Sequence, residues 1–228
     1  MIMIGPGLSA GLASSRADGF ISGYVFNYYG VAISGATIGK ENGPFTTSDD
    51  NGYYLLERAP EGVYEIGCGK PGYNFSWITV TVISADTTYQ NFTLTQPEMV
   101  INPLLIEQTL NPGEYITTYI NILNTGTGTL HWESVIDYTA QRREINSEWL
   151  TMGSYQGDVE PFGGLENVPV YLNATGTVSG QTYSAAIMFS SVPDVGNITV
   201  PVTMTVMGNE LIPPENLEVS LLDNVDGI

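Results

Sequence analysis

The stretch Thr46–Leu56, TTSDDNGYYLL, places the adjacent carboxylates Asp49 and Asp50 beside Asn51 and Gly52, the residue types of an oxygen-rich cation loop. A twelve-position calcium loop sets oxygen ligands at alternate positions, glycine sixth and a bidentate glutamate twelfth. Counted from Asp49, glycine comes fourth, and the chain runs on into Tyr53 and Tyr54. The terminal DNVDG fails the same test. Asp, Asn and Gly are also the residues of tight turns, because they accept positive φ or bond their own backbone. The tip of a β-hairpin is therefore expected, with an adventitious Ca²⁺ as the competing reading and no other cofactor.

His131 is the sole histidine and Cys68 the sole cysteine. One of each falls short of the four-ligand set of a structural zinc site. In LHWES, His131 and Trp132 point to opposite faces of a strand. Trp132 belongs with Leu130 and Ile136 on the core side, which leaves His131 outward. A Ser–His–Asp relay requires a buried carboxylate behind the histidine and an exposed nucleophile, and the local sequence suggests neither. Cys68 alternates with Tyr64 and Ile66 in VYEIGC and is expected inside a core as a small apolar group. Paired carboxylates alone can cleave glycosides, so Glu133, Asp137, Glu144 and Glu148 qualify by type. Such chemistry also requires a deep cleft, which two small sandwiches rarely build. No catalytic residue and no metal ligand is assigned, and no enzyme is expected.

Aromatic side chains offer a different chemistry. Tyr24, Phe26, Tyr28, Tyr29, Tyr54, Trp77 and Tyr155 fall on strand faces or loops expected to reach solvent. Exposed rings stack on sugars or anchor a protein partner. Tyr28, Tyr29, Trp77 and Tyr155 are the candidate glycan or partner contacts; partial burial at sheet edges and module contacts is the competing reading. Asn74, Asn91, Asn173 and Asn197 each open an Asn-x-Ser/Thr sequon, a pattern that Thr- and Asn-rich β sequences generate by chance.

Charged residues are 13% of the chain, yet 24 acids against 6 bases give a formal charge of −18. Nucleic acid and anionic membrane surfaces are excluded as partners, because both bind through Lys and Arg. No apolar run approaches the ~18–20 residues of a spanning helix, so no membrane insertion is expected. Thr, Asn, Ser, Gly and Tyr supply the polarity, a mix suited to water-exposed sheets of secreted or surface proteins. A single cysteine leaves no intramolecular disulfide framework.

Strands must position these groups. Short alternating runs bounded by Gly, Pro, Asn and Asp recur without a sustained helical period, the pattern of an all-β chain of tandem antiparallel β-sandwiches. FISGYVF, GATIG, GYYLLE, GVYEIGC, WITVTVI and YQNFTL give six or seven strands between Asp18 and Gln96. TQPEMVINP (95–103) carries two prolines and no period, and the module boundary is placed there. LLIEQTL, YITTYINIL, LHWESVI, VPVYLNA, YSAAIMFSS and NITVPVTMTV supply a second set. The expected organisation is 1–17 linker or signal remnant, 18–96 first sandwich, 97–208 second sandwich, and 209–228 linker with an orphan first strand of a following domain.

In their order, ISGYVF, AISGATI, TTSDDNGYYLL, APEGVYEI and PGYNF resemble the carboxypeptidase regulatory-like family of transthyretin- or Cna-B-like sandwiches across 18–96. The resemblance implies a non-catalytic accessory or structural unit of extracellular proteins. It also implies a hairpin over Ser48–Tyr53 with the following aromatic entering the core, and a turn at APEGVY that feeds a buried-edge strand. Cna-B-like pilin domains often carry a Lys–Asn or Lys–Asp crosslink from a first-strand lysine. FISGYVF has no lysine, and Lys40 and Lys70 lie near strand ends, so none is expected. LNPGEYITTYINILNTGTGTLHWES, EWL, VPVYLNATGTVSGQTYSAAIMFSS and ITVPVTMTV resemble BACON and related Ig-like modules of bacterial surface proteins over about 100–207. PPENLEVSLL resembles the first strand of a fibronectin type III domain.

Together these resemblances imply a structural or adhesive segment of a secreted, multidomain bacterial surface protein, extracellular or at the cell surface. Its partners would be neighbouring domains of the same polypeptide and further copies of itself, joined by strand pairing into a filament. Leu217, Val219 and Leu221 form the candidate inter-subunit strand. The alternative is a carbohydrate-binding accessory module of a secreted glycoside hydrolase or protease, with polysaccharide as partner. That alternative requires a coplanar row of exposed aromatics.

Overall fold

A computed structural model describes residues 17–138 and 149–208 of the chain. The first part contains β1 (Gly19–Asn27), β2 (Thr37–Gly39), β3 (Phe45–Thr47), β4 (Tyr53–Ala59), β5 (Gly62–Gly69), β6 (Ser76–Val82), β7 (Thr87–Tyr89) and β8 (Phe92–Leu94). Two of these, β3 and β7, exceed the six runs read from alternation; neither carries a buried side chain, so neither shows an apolar period. One sheet has the order β4-β1-β7, with β8 also on β1, and the other has β3-β2-β5-β6. Period-2 alternation sends Ile21 and Val25, Tyr54 and Leu56, Ile66 and Cys68 into a shared core.

The second part contains β9 (Met99–Asn102), β10 (Ile106–Leu110), β11 (Tyr115–Asn124), β12 (Leu130–Asp137), β13 (Leu150–Met152), β14 (Gln156–Val159), β15 (Gly164–Asn173), β16 (Thr182–Val192) and β17 (Ile198–Val206). They form a sheet β13-β15-β11-β9 and a sheet β10-β17-β16-β12-β14. Trp132, Phe189, Ile120, Ile122 and Leu110 are among the side chains that fill the space between them. The core residues thus fall in two clusters, one from Ile21 to Leu94 and one from Met99 to Val206.

Five local expectations change. The sandwiches are not wholly antiparallel: β1 runs parallel to β7 and β8, and β10 runs parallel to β17. The turn at Asp49–Gly52 is not a hairpin tip, because β3 ladders with β2 while β4 ladders with β1; it carries the chain from one sheet to the other. Tyr53, whose carbonyl closes that turn by accepting the Asp49 amide, faces solvent. Alternation then turns Tyr54 inward, to 1% exposure, with its hydroxyl donating to the Gln90 carbonyl at 2.6 Å. The aromatic that follows Ser48–Tyr53 thus enters the core, and the solvent exposure expected for Tyr54 does not hold. The strand after APEGVY, β5, lies inside its sheet between β2 and β6 and not at an edge. Finally, the irregular TQPEMVINP contains β9, an edge strand on Asn121–Asn124 of β11. Leu217, Val219, Leu221, Glu144 and Glu148 lie outside the described residues.

Candidate interaction surfaces and the module junction

The join between the two sandwiches is built around one buried amide. Asn124, at the end of β11, is fully buried, and its Nδ2 donates to the carbonyls of Gly128 (2.8 Å) and Val159 (2.9 Å). Its Oδ1 accepts from the amides of Glu98 (3.1 Å) and Gly126 (3.0 Å). An Asn side chain has two donors and an acceptor with two lone pairs, so every capacity is met. The 125–129 loop shaped this way receives the first sandwich. Asn74 Nδ2 donates to the Thr129 carbonyl at 3.0 Å, and Asn74 Oδ1 accepts from the Thr95 hydroxyl at 3.3 Å. The Thr127 amide donates to the Gln96 carbonyl at 2.7 Å, while Thr127 Oγ1 accepts the Gln96 amide at 3.0 Å. Gly128 allows this approach: a Cβ there would stand 1.8 Å from Asn74 Oδ1.

The four predicted contact residues do not form one site. Tyr28 and Tyr29 follow β1 and lie at the junction, edge-to-face with each other at 5.4 Å. Tyr28 also meets Phe162, from the β14–β15 turn of the second sandwich, at 5.2 Å. A groove of about 550 Å³ opens beside them, lined by Tyr29, Gln96, Glu98, Thr125, Thr127 and Val195 among others. Trp77 lies on the outer face of the first sandwich, 53% exposed, with its ring 4.9 Å from that of Phe75. Both rings lie over Gly67, and Phe75 also covers Gly69, where any side chain would collide with it. Tyr155 borders β14, its hydroxyl accepting the Met152 amide and its carbonyl the Ser134 amide.

Three tyrosines outside that set, Tyr115, Tyr119 and Tyr171, share the outward face of β11 and β15. The signal was present in YITTYIN, where Tyr115 and Tyr119 fall on the face opposite Ile116 and Ile120. Attention to the inward series hides it.

The groups that suggested chemistry hold structural partners. Asp49 Oδ1 accepts the amides of Asn51 and Tyr53, each at 2.9 Å, and Asp50 Oδ1 accepts the Ser34 hydroxyl at 3.0 Å. Among the described residues, no group of three or more His, Cys, Asp or Glu side chains could hold a metal ion. His131 does meet a carboxylate, Asp158 across the strand pair at 2.6 Å, but both are exposed. The hollow around them is lined by Trp132, Glu133, Gln156, Gly157 and Val192, with no hydroxyl or thiol nucleophile. Cys68 lies in the core, where burial pushes its thiol up to about 12. Lys40 sits over the Tyr64 ring, 4.0 Å from its centre, and Lys70 Nζ donates to the Ser34 carbonyl at 2.9 Å.

No family model and no curated protein matches the sequence. Among solved structures, the chain is similar to BcpA, the major pilin subunit of Bacillus cereus, at 16% identity over 82% of this chain and 68% of that one, with a TM-score of 0.36. It is also similar to the CsuC–CsuE chaperone–tip adhesion subunit pre-assembly complex of Acinetobacter baumannii at 10% identity, over 49% and 57%, with a TM-score of 0.36. A family 123 glycoside hydrolase from Clostridium perfringens matches at 8% identity over 50% and 28%, with a TM-score of 0.40. Similarity this low leaves function to be read from the chain's own side chains.

Proposed function

We propose that the chain is a non-catalytic structural and adhesive segment of a secreted, multidomain bacterial surface protein, in which two β-sandwiches are held at a fixed spacing. The observation that carries this reading is the junction. Asn124 shapes a loop to which Asn74 and Gln96 of the first sandwich are hydrogen-bonded directly. A free linker would let the units swing, whereas direct contacts transmit position and load. The resemblance of 18–96 to carboxypeptidase regulatory-like units and of 100–207 to BACON modules agrees with such a role. Assembly of copies through strand addition is the natural extension, using a sheet edge such as β6 or β14.

Small-angle X-ray scattering of the full chain, with chromogenic glycosides, esters and peptides offered as substrates, tests the proposal. One fixed arrangement of the two sandwiches and no turnover are expected. Gly128→Val should broaden the distance distribution, and the milder Asn74→Ala should do so less. A wild-type chain that scatters as two freely jointed bodies, or that turns over any substrate, overturns it.

A further inference from the structure

Strand register gives the sheet β13-β15-β11-β9 an outward face unlike that of its partner sheet. From β11, Tyr115, Thr117, Tyr119 and Asn121 point outward, because Ile116, Ile120 and Ile122 turn toward the core. Opposite them on β15 stand Asn173, Tyr171, Pro169 and Asn167 in turn. The next pair is Leu123 and Leu165, and the edge strands add Val100, Asn102 and Thr151. None of these side chains is ionisable at neutral pH. The outer face of the opposing sheet carries Glu107, His131, Glu133, Asp137 and Asp158.

The contrast matters in a chain of net charge −18. A polyanion is repelled by the molecule as a whole, and a polycation finds no carboxylate on this face to pair with. A neutral polymer meets neither penalty. The side chains also have the matching chemistry. Tyr115 and Tyr171 stack with ring centres 6.0 Å apart and planes 21° from parallel. Tyr119 lies four residues along β11 from Tyr115, about 13 Å at the ~3.3 Å rise of a strand. The three rings follow the seam between two strands, giving flat apolar surfaces tipped with hydroxyls. Beside them Asn167 Nδ2 donates to Asn121 Oδ1 at 2.6 Å, and each amide retains a second hydrogen-bonding group, an NH₂ on one and a carbonyl on the other. Rings alternating with amides and hydroxyls suit a sugar chain, with its apolar C–H faces and its rim of hydroxyls. A second copy of this chain would bring another −18 charge and would have to satisfy the same amides.

We propose that this face binds a neutral polysaccharide laid along β11 and β15, with Tyr115, Tyr119 and Tyr171 stacking on sugar rings and Asn121 and Asn167 bonding to their hydroxyls. This names the ligand class for the adhesive part of the reading above, on which it rests.

Affinity electrophoresis of the full chain tests it, in native gels containing a soluble neutral mixed-linkage β-glucan, xyloglucan, galactomannan or dextran, with alginate as the charged control. At least one neutral polymer should retard the protein, and alginate should not. Tyr119→Ala, and the Tyr115→Ala/Tyr171→Ala pair, should weaken retention by about tenfold or more. Tyr89→Ala, an exposed ring on the other sandwich, should leave it unchanged, and a melting curve for each variant checks that it folds. Retention by none of these neutral polymers, or retention that survives removal of all three rings, overturns the proposal. So does a concentration-dependent dimer abolished by the same substitutions without any polymer retention, which would make the face an interface between copies. Scattering from the junction is unaffected by any of these outcomes, so the structural reading is judged separately.

Discussion

The indole Nε1 of Trp132 donates to Glu166 Oε2 at 2.6 Å, tying β12 in one sheet of the second sandwich to β15 in the other. A Cβ on Gly157 would stand 2.5 Å from that carboxylate oxygen and 2.8 Å from the indole nitrogen, so β14 passes the bond with a glycine. Trp132 is otherwise enclosed, packed against Phe189 with ring centres 5.9 Å apart. Glu166→Ala leaves a buried N–H without its acceptor and should cost about 1–3 kcal/mol, with Glu166→Gln milder because it keeps an acceptor. Gly157→Ala should cost about 1–3 kcal/mol by overpacking. Urea denaturation reads both; a neutral Glu166→Ala would mean that water takes over the indole.

Asn124 is the position where one substitution should do most damage. Asn124→Leu removes four hydrogen bonds and strands the amides of Glu98 and Gly126 and the carbonyls of Gly128 and Val159. A loss above about 3 kcal/mol is expected, beyond the usual range for a single change. Asn74→Ala removes one bond across the junction, to the Thr129 carbonyl, and one inside the first sandwich, from the Thr95 hydroxyl, and should cost about 1 kcal/mol. Calorimetry distinguishes them: Asn124→Leu lowers the melting of the second sandwich, while Asn74→Ala separates the melting of the two.

Alkaline pH should unfold the first sandwich before the second. Burial raises the Cys68 thiol from 9.0 to about 12, and burial, with Cys68 nearby, raises the Tyr54 hydroxyl from 10.0. The unfolded chain releases the thiol proton near pH 9, whereas the folded chain holds it until near pH 12. The resulting stability is full below pH 9 and is lost as the pH climbs through that window. Cys68→Ala should flatten part of the loss, the Tyr54 part remaining. Iodoacetamide at pH 8 should leave Cys68 unmodified in the folded protein and alkylate it in urea; rapid labelling of the native chain contradicts this.

Calcium should have no effect on the Asp49 turn. Asp49 already accepts two backbone amides there, and Asp50 accepts a hydroxyl. Asp49→Ala should cost about 1 kcal/mol, while Asp49→Asn, which keeps the accepting oxygen, should cost less. Millimolar calcium should leave the thermal midpoint unchanged. A rise that vanishes in Asp49→Asn would restore the cation reading.

Alternation along single strands was legible wherever a run exceeded about five residues, because side chains on a pleated strand must alternate. It placed Trp132, Leu130 and Ser134 inward and His131 outward, and it put Cys68 beside Ile66 in a core. It was silent at β3 and β7, and the prolines around β9 concealed an edge strand. Local composition also misled at Asp49–Gly52, since the same turn residues serve a hairpin and a crossing between sheets. Only the partners of β3 and β4 tell the two apart.

The sequence by itself determined the class of fold, the acidic character of the chain and the inward or outward sense of its longer strands, since these follow from residue type and a two-residue period. Tertiary structure alone decided which outward residues meet. Tyr115 and Tyr171 are 56 positions apart and share a surface only because β11 and β15 pair in one particular register. Asn74 finds Thr129, and Trp132 finds Glu166, for the same reason. Hydrogen-bonded registry between distant segments is a cooperative property of the packed sheets and is written in no single stretch of the chain.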